Sequence, residues 1–435
     1  MDRIQQIKEI LLELDKQDIS YCLLRNYNFL VEKRELLSPS ERSIDLVVSR
    51  KDFPFFDRIL RKHNFLTRKP SFSRKHHAYF RIQDLECISF DVQVGGVHWN
   101  DMCYLDETYL LQNRVQKSFF CVPSDNDMVV MLLVHSILGK RYFKSEYQNI
   151  ISSLIPDTNK EYILERLSES FNRKIGRKIF DSALKGNFAA ILQRKYYYLS
   201  YFVFKSFQNT STFTMLFFRW IQWKKFLKPY PLIAVIGPDG AGKSTVVDAL
   251  AKHLRGYDRN VSVVYTGRGR DHILPISAVG RAYKRKEKRK DQAFSKKQAG
   301  SGRKMLYTLS APFFTVDLLL RYLLVIMPKR RRKSIVITDR YCSDIILMNN
   351  VPLWFKKILL LPFPKPTLTF YLYNSPETLH QRRPEESIAG LKTQMFFFEK
   401  LNTSLKPISL LTTDKDKDLE FVVKEVMTYL YKNWY

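Results

Sequence analysis

The sequence predicts an α/β protein, with a doubly wound parallel sheet in the C-terminal half, an α+β domain at the N-terminus and a helical region between them. Three observations lead there. Apolar, β-rich runs alternate with amphipathic helical patterns over residues 1–120; helical periodicity dominates 121–228; and from 229 to 435 short apolar strands alternate with helices, one strand running straight into a glycine-rich loop.

The opening stretch, Met1-Asp-Arg-Ile-Gln-Gln-Ile-Lys-Glu-Ile-Leu-Leu12, reads as an amphipathic helix, with charges where a secretory leader needs an apolar centre. Strands are expected at Tyr21–Leu24, Ser43–Val48, His77–Ile82 and Ile88–Val94. Phe53, Phe56, Ile59 and Leu60 recur at helical spacing, so Lys51–His63 is expected to lie as a helix across that sheet. Met128–Leu138, Tyr162–Phe171, Ile179–Leu192 and Tyr196–Phe207 carry helical patterns, and Lys225–Pro231 forms a basic, proline-containing junction. Beyond it, Leu232–Ile236, Val261–Tyr265, Ser334–Thr338 and Leu368–Tyr373 are the expected strands. The longest apolar run, Leu306–Pro328, contains Pro312, Asp317 and Arg321, charges that are costly in lipid unless protein groups pair with them. It is read as a buried helix. For the aromatic run Tyr196–Phe204, with Phe213–Trp223 and Lys224-Lys225 after it, two readings stand: packing between domains, or an interfacial helix at a membrane.

Composition narrows the partners. A chain of 435 residues, 45% of them hydrophobic, is long enough for roughly two or three domains with real cores. Lys plus Arg number 72 against 43 Asp plus Glu, and the formal net charge of +29 favours anionic partners: nucleotides, nucleic acid, phosphorylated glycans or an acidic membrane face. Five cysteines without C-x-x-C spacing indicate neither a disulfide framework nor a zinc site, which fits a reducing cytosol. The histidines show no metal-ligand spacing, and no nucleophile elbow is present.

The chemistry concentrates in Gly237-Pro-Asp239-Gly240-Ala241-Gly242-Lys243-Ser244-Thr245, a G-x-x-x-x-G-K-S loop between an apolar strand and a helix. Glycines permit positive φ and bring successive N–H groups toward phosphate oxygens; the lysine neutralises charge, and the serine hydroxyl suits Mg²⁺. The strand Ser334–Thr338 ends in Asp339-Arg340-Tyr341. A carboxylate at the carboxyl end of a parallel strand beside such a loop faces the nucleotide's metal, and the arginine can make a two-pronged contact to a second phosphate. Further on, Leu368–Tyr373 is followed by Ser375-Pro-Glu and then Leu379-His-Gln-Arg382-Arg383-Pro-Glu-Glu386.

Through these motifs, residues 232–435 resemble the thymidylate kinase family of nucleoside monophosphate kinases. The resemblance implies a P-loop kinase fold that uses ATP and Mg²⁺, with residues 237–245 as the nucleotide-binding loop. It assigns the metal to Ser244 and Asp339, a second phosphate to Arg340, an acceptor contact to Asp239, and a mobile lid to the segment holding Arg382 and Arg383. Lys243, Asp339, Arg340, Arg382 and Arg383 are the catalytic candidates. The leading acceptor on this resemblance is a nucleoside monophosphate such as dTMP. The acceptor side departs from the family, because Thr266-Gly-Arg268-Gly-Arg270 stands where an arginine-glutamate-proline turn is usual. A basic tract within 281–304, Arg281-Ala-Tyr-Lys-Arg-Lys-Glu-Lys-Arg-Lys290 and then Lys296-Lys297, reads either as a solvated excursion or as a landing strip for a polyanion or lipid headgroup.

The first hundred or so residues resemble a divergent polymerase-β-type nucleotidyltransferase, through Tyr21-Cys-Leu-Leu-Arg25-Asn26-Tyr27, Ser43-Ile-Asp45 and Phe90-Asp91-Val92. Such enzymes place two carboxylates two residues apart on one strand face to bridge a pair of metals. Ser43 replaces the first, while Asp45 shares its face and Asp91 approaches from the next strand, so binding or scaffolding is the expected role. Three other functions stay open: a kinase acting on a sugar or glycan intermediate of surface-polysaccharide assembly, a nucleic-acid-end binding or repair protein, and a nucleotide-dependent switch. The expected location is the cytoplasm, with peripheral contact to a membrane.

Overall fold

A computed structural model describes residues 3–25, 27–32, 43–68, 75–83, 86–207, 228–257, 259–267, 271–274, 300–348 and 351–433. The aromatic stretch 213–223 with Lys224 and Lys225, the arginines at 268 and 270, Asn26 and the basic tract up to residue 299 lie outside them. The chain is mixed α/β and forms two compact units, Met1–Lys225 with Met427–Tyr435, and Phe226–Val426.

In the first unit, β1 (Tyr21–Arg25), β2 (Ser43–Val48), β3 (Leu66–Thr67), β4 (His76–Gln83) and β5 (Glu86–Val94) form a mixed sheet in the order β1-β2-β5-β4-β3. Only β2 and β5 run parallel, pairing Ser43 with Ser89 and Asp45 with Asp91. Strand periodicity sorts the side chains into two faces. Leu23, Ile44, Leu46, Tyr79, Phe90 and Val92 lie on the buried apolar one. The helix Phe53–Lys62 covers it with Phe56, Ile59 and Leu60, and the Phe56 and Tyr79 rings meet edge-on at 5.9 Å. The other face carries Ser43, Asp45, His76, Ser89 and Asp91. A bulge between Leu23 and Arg25 aligns Arg25 with Asp45.

Short hairpins follow, β6 (Gly96–Trp99) with β7 (Met102–Asp106) and β8 (Val115–Lys117) with β9 (Phe120–Val122), and then helices. Ser124, Asn159 and Asn172 each cap a helix by accepting a hydrogen bond from a first-turn amide. The helix expected over Ile179–Leu192 is in fact two, Arg173–Leu184 and Phe188–Gln193. Gly186 takes a left-handed φ of 66°, and Asn187 starts the next helix by accepting from the Ala190 amide at 3.0 Å. In the aromatic helix Lys195–Phe207, Tyr198 and Phe202 are buried beside Phe171, whereas Tyr196, Tyr197 and Phe204 are exposed.

In the second unit, β10 (Leu232–Ile236), β11 (Val261–Tyr265), β12 (Ile335–Asp339), β13 (Leu368–Tyr373) and β14 (Ile408–Leu411) form a sheet in the order β11-β12-β10-β13-β14. Every pairing is parallel. The central β10 and β12 are buried throughout, as short apolar strands between helical layers must be.

Among the described residues, one helical stretch, Ala311–Arg331, is long and apolar enough to cross a membrane. Its two internal charges face protein instead: Asp317 is fully buried and Arg321 nearly so. Asp317 Oδ1 accepts from the amides of Ile273 and Leu274, both at 2.8 Å, while Arg321 donates to Asp317 Oδ2 and to the Gly267 carbonyl. The expected protein partners are therefore present, and they lash the segment after β11 to this helix.

Candidate functional site

Strand β10 ends at Ile236, and the loop that follows turns through three glycines with positive φ, 151° at Gly237, 84° at Gly240 and 81° at Gly242, before the helix Lys243–Gly256 begins. Close approach requires the first: a Cβ on Gly237 would stand 2.1 Å from the Leu372 carbonyl oxygen of β13. Ala241 is fully buried under the loop, whereas Ser244 and Thr245 are exposed at the helix start. The N-terminal amides of this fourteen-residue helix carry its positive dipole end, a setting for anions.

Lys243 is buried and donates to the Pro238 carbonyl at 2.7 Å, so its ammonium is folded back over the loop. Burial, followed by the charge of Arg340, pushes its pKa down to about 8, against the pull of Asp239, Asp344 and Asp339. Asp239 lies 3.7 Å from that ammonium and is paired with Arg340. Burial works to raise the Asp239 carboxyl, but Arg340 and Lys243, with a smaller contribution from Arg383, hold it below the usual carboxylate range.

Parallel register brings Asp339, the last residue of β12, beside Val235 of β10, at the mouth of the loop. Ser244 Oγ donates to Asp339 Oδ2 at 2.7 Å. The second oxygen, Oδ1, is buried and has no hydrogen-bond partner among the described residues. A buried carboxylate oxygen left open beside a hydroxyl fits a hard divalent cation, which takes oxygen ligands and offsets the missing hydrogen bond.

Arg340 sits in the left-handed region at φ 70°, strained for a residue with a side chain, and is held there by Asp239 and by Asp344 at 3.1 Å. Thr266 locks the turn after β11 to it, donating from Oγ1 to the Arg340 carbonyl at 2.9 Å. Gly267 leaves room for the arginine stem, since a Cβ there would come within 2.5 Å of Arg340 Cδ.

The two lid candidates are placed differently. Ser375 caps the helix Pro376–Arg382 by accepting from the Thr378 amide, as its Ser-Pro-Glu sequence signals. Arg382 turns toward the end of β14 and donates to the hydroxyl and carbonyl of Thr412. Arg383 leaves the helix with its side chain 52% exposed and a long 3.8 Å pair to Glu385, and its charge acts on Asp239.

Gln394, on the helix Ile388–Leu405, belongs to the site without any signal in the sequence. Its Oε1 accepts from the Asp239 amide at 3.1 Å, across 155 residues.

In the first unit the carboxylates are differently committed. Arg25 forms a close ion pair with Asp45, and His76 pairs with Asp91 at 2.6 Å. Ser43 adds no charge to that face, and among the described residues no group of three or more His, Cys, Asp or Glu side chains is placed to hold a metal ion. The donor set therefore does not fit the metal pair of a nucleotidyltransferase.

No protein-family model and no curated protein matches the sequence.

Proposed function

We propose that the second unit is an ATP-dependent phosphotransferase of the thymidylate-kinase type, moving the γ-phosphoryl group to a nucleoside monophosphate such as dTMP or to a related anionic acceptor. One observation carries the reading: Asp339 and Ser244 meet at the carboxyl ends of β10 and β12, and Asp339 keeps a buried oxygen without a partner. On this reading the first unit is a divergent nucleotidyltransferase-like domain that binds or scaffolds, and the protein works in the cytoplasm.

Phosphoryl transfer asks the protein mainly for positioning and for charge placed where the transferring group develops it. Amides from Gly237 to Thr245 hold the donor phosphates, and Lys243 swings from the Pro238 carbonyl to meet them. Ser244 and Asp339 would hold Mg²⁺, which would supply neutralisation of phosphate charge. Arg340, fixed between two aspartates, presents its remaining donors to the acceptor phosphate, and Asp239 orients it. Arg383, exposed and weakly paired, is the better placed of the two lid arginines to close over the transferring group.

A phosphorylated sugar is the second reading for the acceptor. The turn tied to Arg340 presents Thr266 and Gly267 rather than the arginine-glutamate-proline of the kinases it resembles.

Transfer of radiolabel from γ-labelled ATP to a panel of nucleoside monophosphates, phosphosugars and oligonucleotide 5′ ends tests the proposal and names the acceptor. Lys243→Ala is expected to lower turnover at least about a hundredfold. Silence with every acceptor, or full activity of the lysine variant, refutes it.

A further inference from the structure

The charged pair inside the apolar helix of the second unit is placed for more than its own neutralisation. Asp317 is fully buried and Arg321 is 2% exposed, in a stretch where apolar side chains would pack without the desolvation that two buried charges incur. Burial works to raise the Asp317 carboxyl, but the Leu274 amide, His272 and Arg321 hold it below the usual carboxylate range, so the pair stays ionised. Four residues apart on the helix, the two side chains share a face. Beyond each other they engage the segment after β11. Asp317 takes the Ile273 and Leu274 amides and meets His272 Nδ1 at 3.0 Å, and Arg321 donates to the Gly267 carbonyl at 3.2 Å.

From Gly267 the contacts continue into the candidate site. Thr266, the buried residue before it, donates from its amide to the Asp339 carbonyl at 3.1 Å and from its hydroxyl to the Arg340 carbonyl at 2.9 Å. On the other side, the Arg340 amide donates to the Val235 carbonyl of β10 at 2.9 Å. The left-handed backbone at Arg340 is thus held between β10 and the Thr266 turn, and Arg321 grips that turn one residue further on. The arginine stem feels the same turn, because a Cβ on Gly267 would lie 2.5 Å from Arg340 Cδ. Asp339 depends on the turn less, being paired to β10 on one side and β11 on the other.

We propose that Asp317 and Arg321 are positioning residues for the phosphoryl transfer: Arg321, aimed by Asp317, clamps the Gly267 carbonyl, and the clamped turn holds Arg340 where it meets the acceptor phosphate. The inference rests on the phosphotransferase reading. It adds a contiguous chain, Asp317 to Arg321 to Gly267 to Thr266 to Arg340, through which a helix remote from the loop sets the acceptor side alone.

The test is steady-state kinetics of the full chain with dTMP as the varied acceptor, or glucose 1-phosphate where dTMP takes no label. Arg321→Lys keeps a positive charge beside Asp317 but cannot span Asp317 and the Gly267 carbonyl together. It is expected to raise the acceptor KM about tenfold, to leave the ATP KM within about twofold, and to melt close to the wild type. Asp317→Asn keeps the shape and can still accept the two amides, yet loses the charge that aims Arg321, and should raise the same KM. Thr266→Val removes the hydroxyl at nearly constant volume; because it breaks the same chain, its effect on the acceptor KM should combine with that of Arg321→Lys less than additively. An active wild type whose acceptor KM is unmoved by Arg321→Lys and Asp317→Asn overturns the inference and leaves the kinase reading standing. So does a fall in kcat with both KM values untouched, the mark of lost folded enzyme rather than of a displaced arginine. A wild type that labels neither acceptor removes the kinase reading, and the inference with it.

Discussion

Replacing Gly237 by alanine tests the loop at its most constrained point. The added Cβ would stand 2.1 Å from the Leu372 carbonyl oxygen, about 0.9 Å inside the 3.0 Å limit that real Cβ atoms respect. Leu372 cannot retreat, because β13 is hydrogen-bonded on both sides, to β10 and β14. The loop must move instead, and its amides move with it. Overpacking against a rigid neighbour costs about 1–3 kcal/mol, and a side chain at a φ of 151° roughly another 1–3 kcal/mol. Together they amount to roughly 2–6 kcal/mol, which in a unit of this size lowers the melting temperature by roughly 4–24 °C. Gly242→Ala carries only the φ cost, since nothing lies within 4 Å of its Cβ position. Gly256→Ala, helical and unobstructed, should be neutral or slightly stabilising. Differential scanning calorimetry with and without MgATP reads both effects: Gly237→Ala melts lowest and loses its nucleotide-dependent shift. If Gly237→Ala melts with the wild type, or no lower than Gly242→Ala, the steric argument is wrong.

Two further outcomes follow from particular side chains. Arg383→Ala should lower kcat about ten- to a hundredfold with little change in melting temperature, whereas Arg382→Ala should lower stability through its lost Thr412 contacts and change kcat less; equal kinetic losses would contradict the division of roles. His76 is faced by Asp91, Asp45 and Arg68; burial opposes its charged form, yet the Asp91 hydrogen bond and both carboxylates raise its pKa above 6.5. A raised folded-state value means that the pair's stabilisation is complete below pH 6.5 and is lost as pH rises through the folded pKa. The ring resonance missing from a His76→Asn spectrum should therefore titrate above 6.5 in the wild type, and titration below it refutes the pairing.

Much of the second unit was legible because its signals are local. Leu232–Ile236, the glycines, Lys243 and Ser244 lie within one short segment, and Ser375-Pro-Glu announces its own helix cap. Asp339 was legible because a parallel strand delivers its last residue to the sheet's carboxyl edge. Gln394 was not, since a glutamine in a helix 155 residues away carries no periodicity or motif. Asp317 and Arg321 were visible as anomalies in an apolar run, but their binding of Ile273, Leu274 and Gly267 depends on tertiary placement. The split of Ile179–Leu192 was written in Gly186-Asn187, a stop signal beside a start signal that the continuing apolar pattern overrode.

The two units answer the same electrostatic problem in opposite ways, and the contrast bears on the proposed role of each. A buried carboxylate must be neutralised, by a side chain that is always present or by an ion that arrives with a ligand. Asp45 and Asp91 take the first course, through Arg25 and His76, so a divalent ion has no free charge to claim there. Asp339 would take the second on the proposed reading: a serine hydroxyl satisfies one oxygen, and the other is buried and bare among the described residues. The nearby cations are held elsewhere, Lys243 by the Pro238 carbonyl and Arg340 by Asp239 and Asp344. That unfilled charge is costly at rest, and on the proposed reading it would favour a metal-bound polyphosphate over other occupants. Substituting Asp339 by asparagine removes that advantage while keeping the shape, so it should spare the fold and raise the Mg²⁺ concentration required for half-maximal turnover; an unchanged Mg²⁺ requirement would mean that the bare oxygen serves no ion.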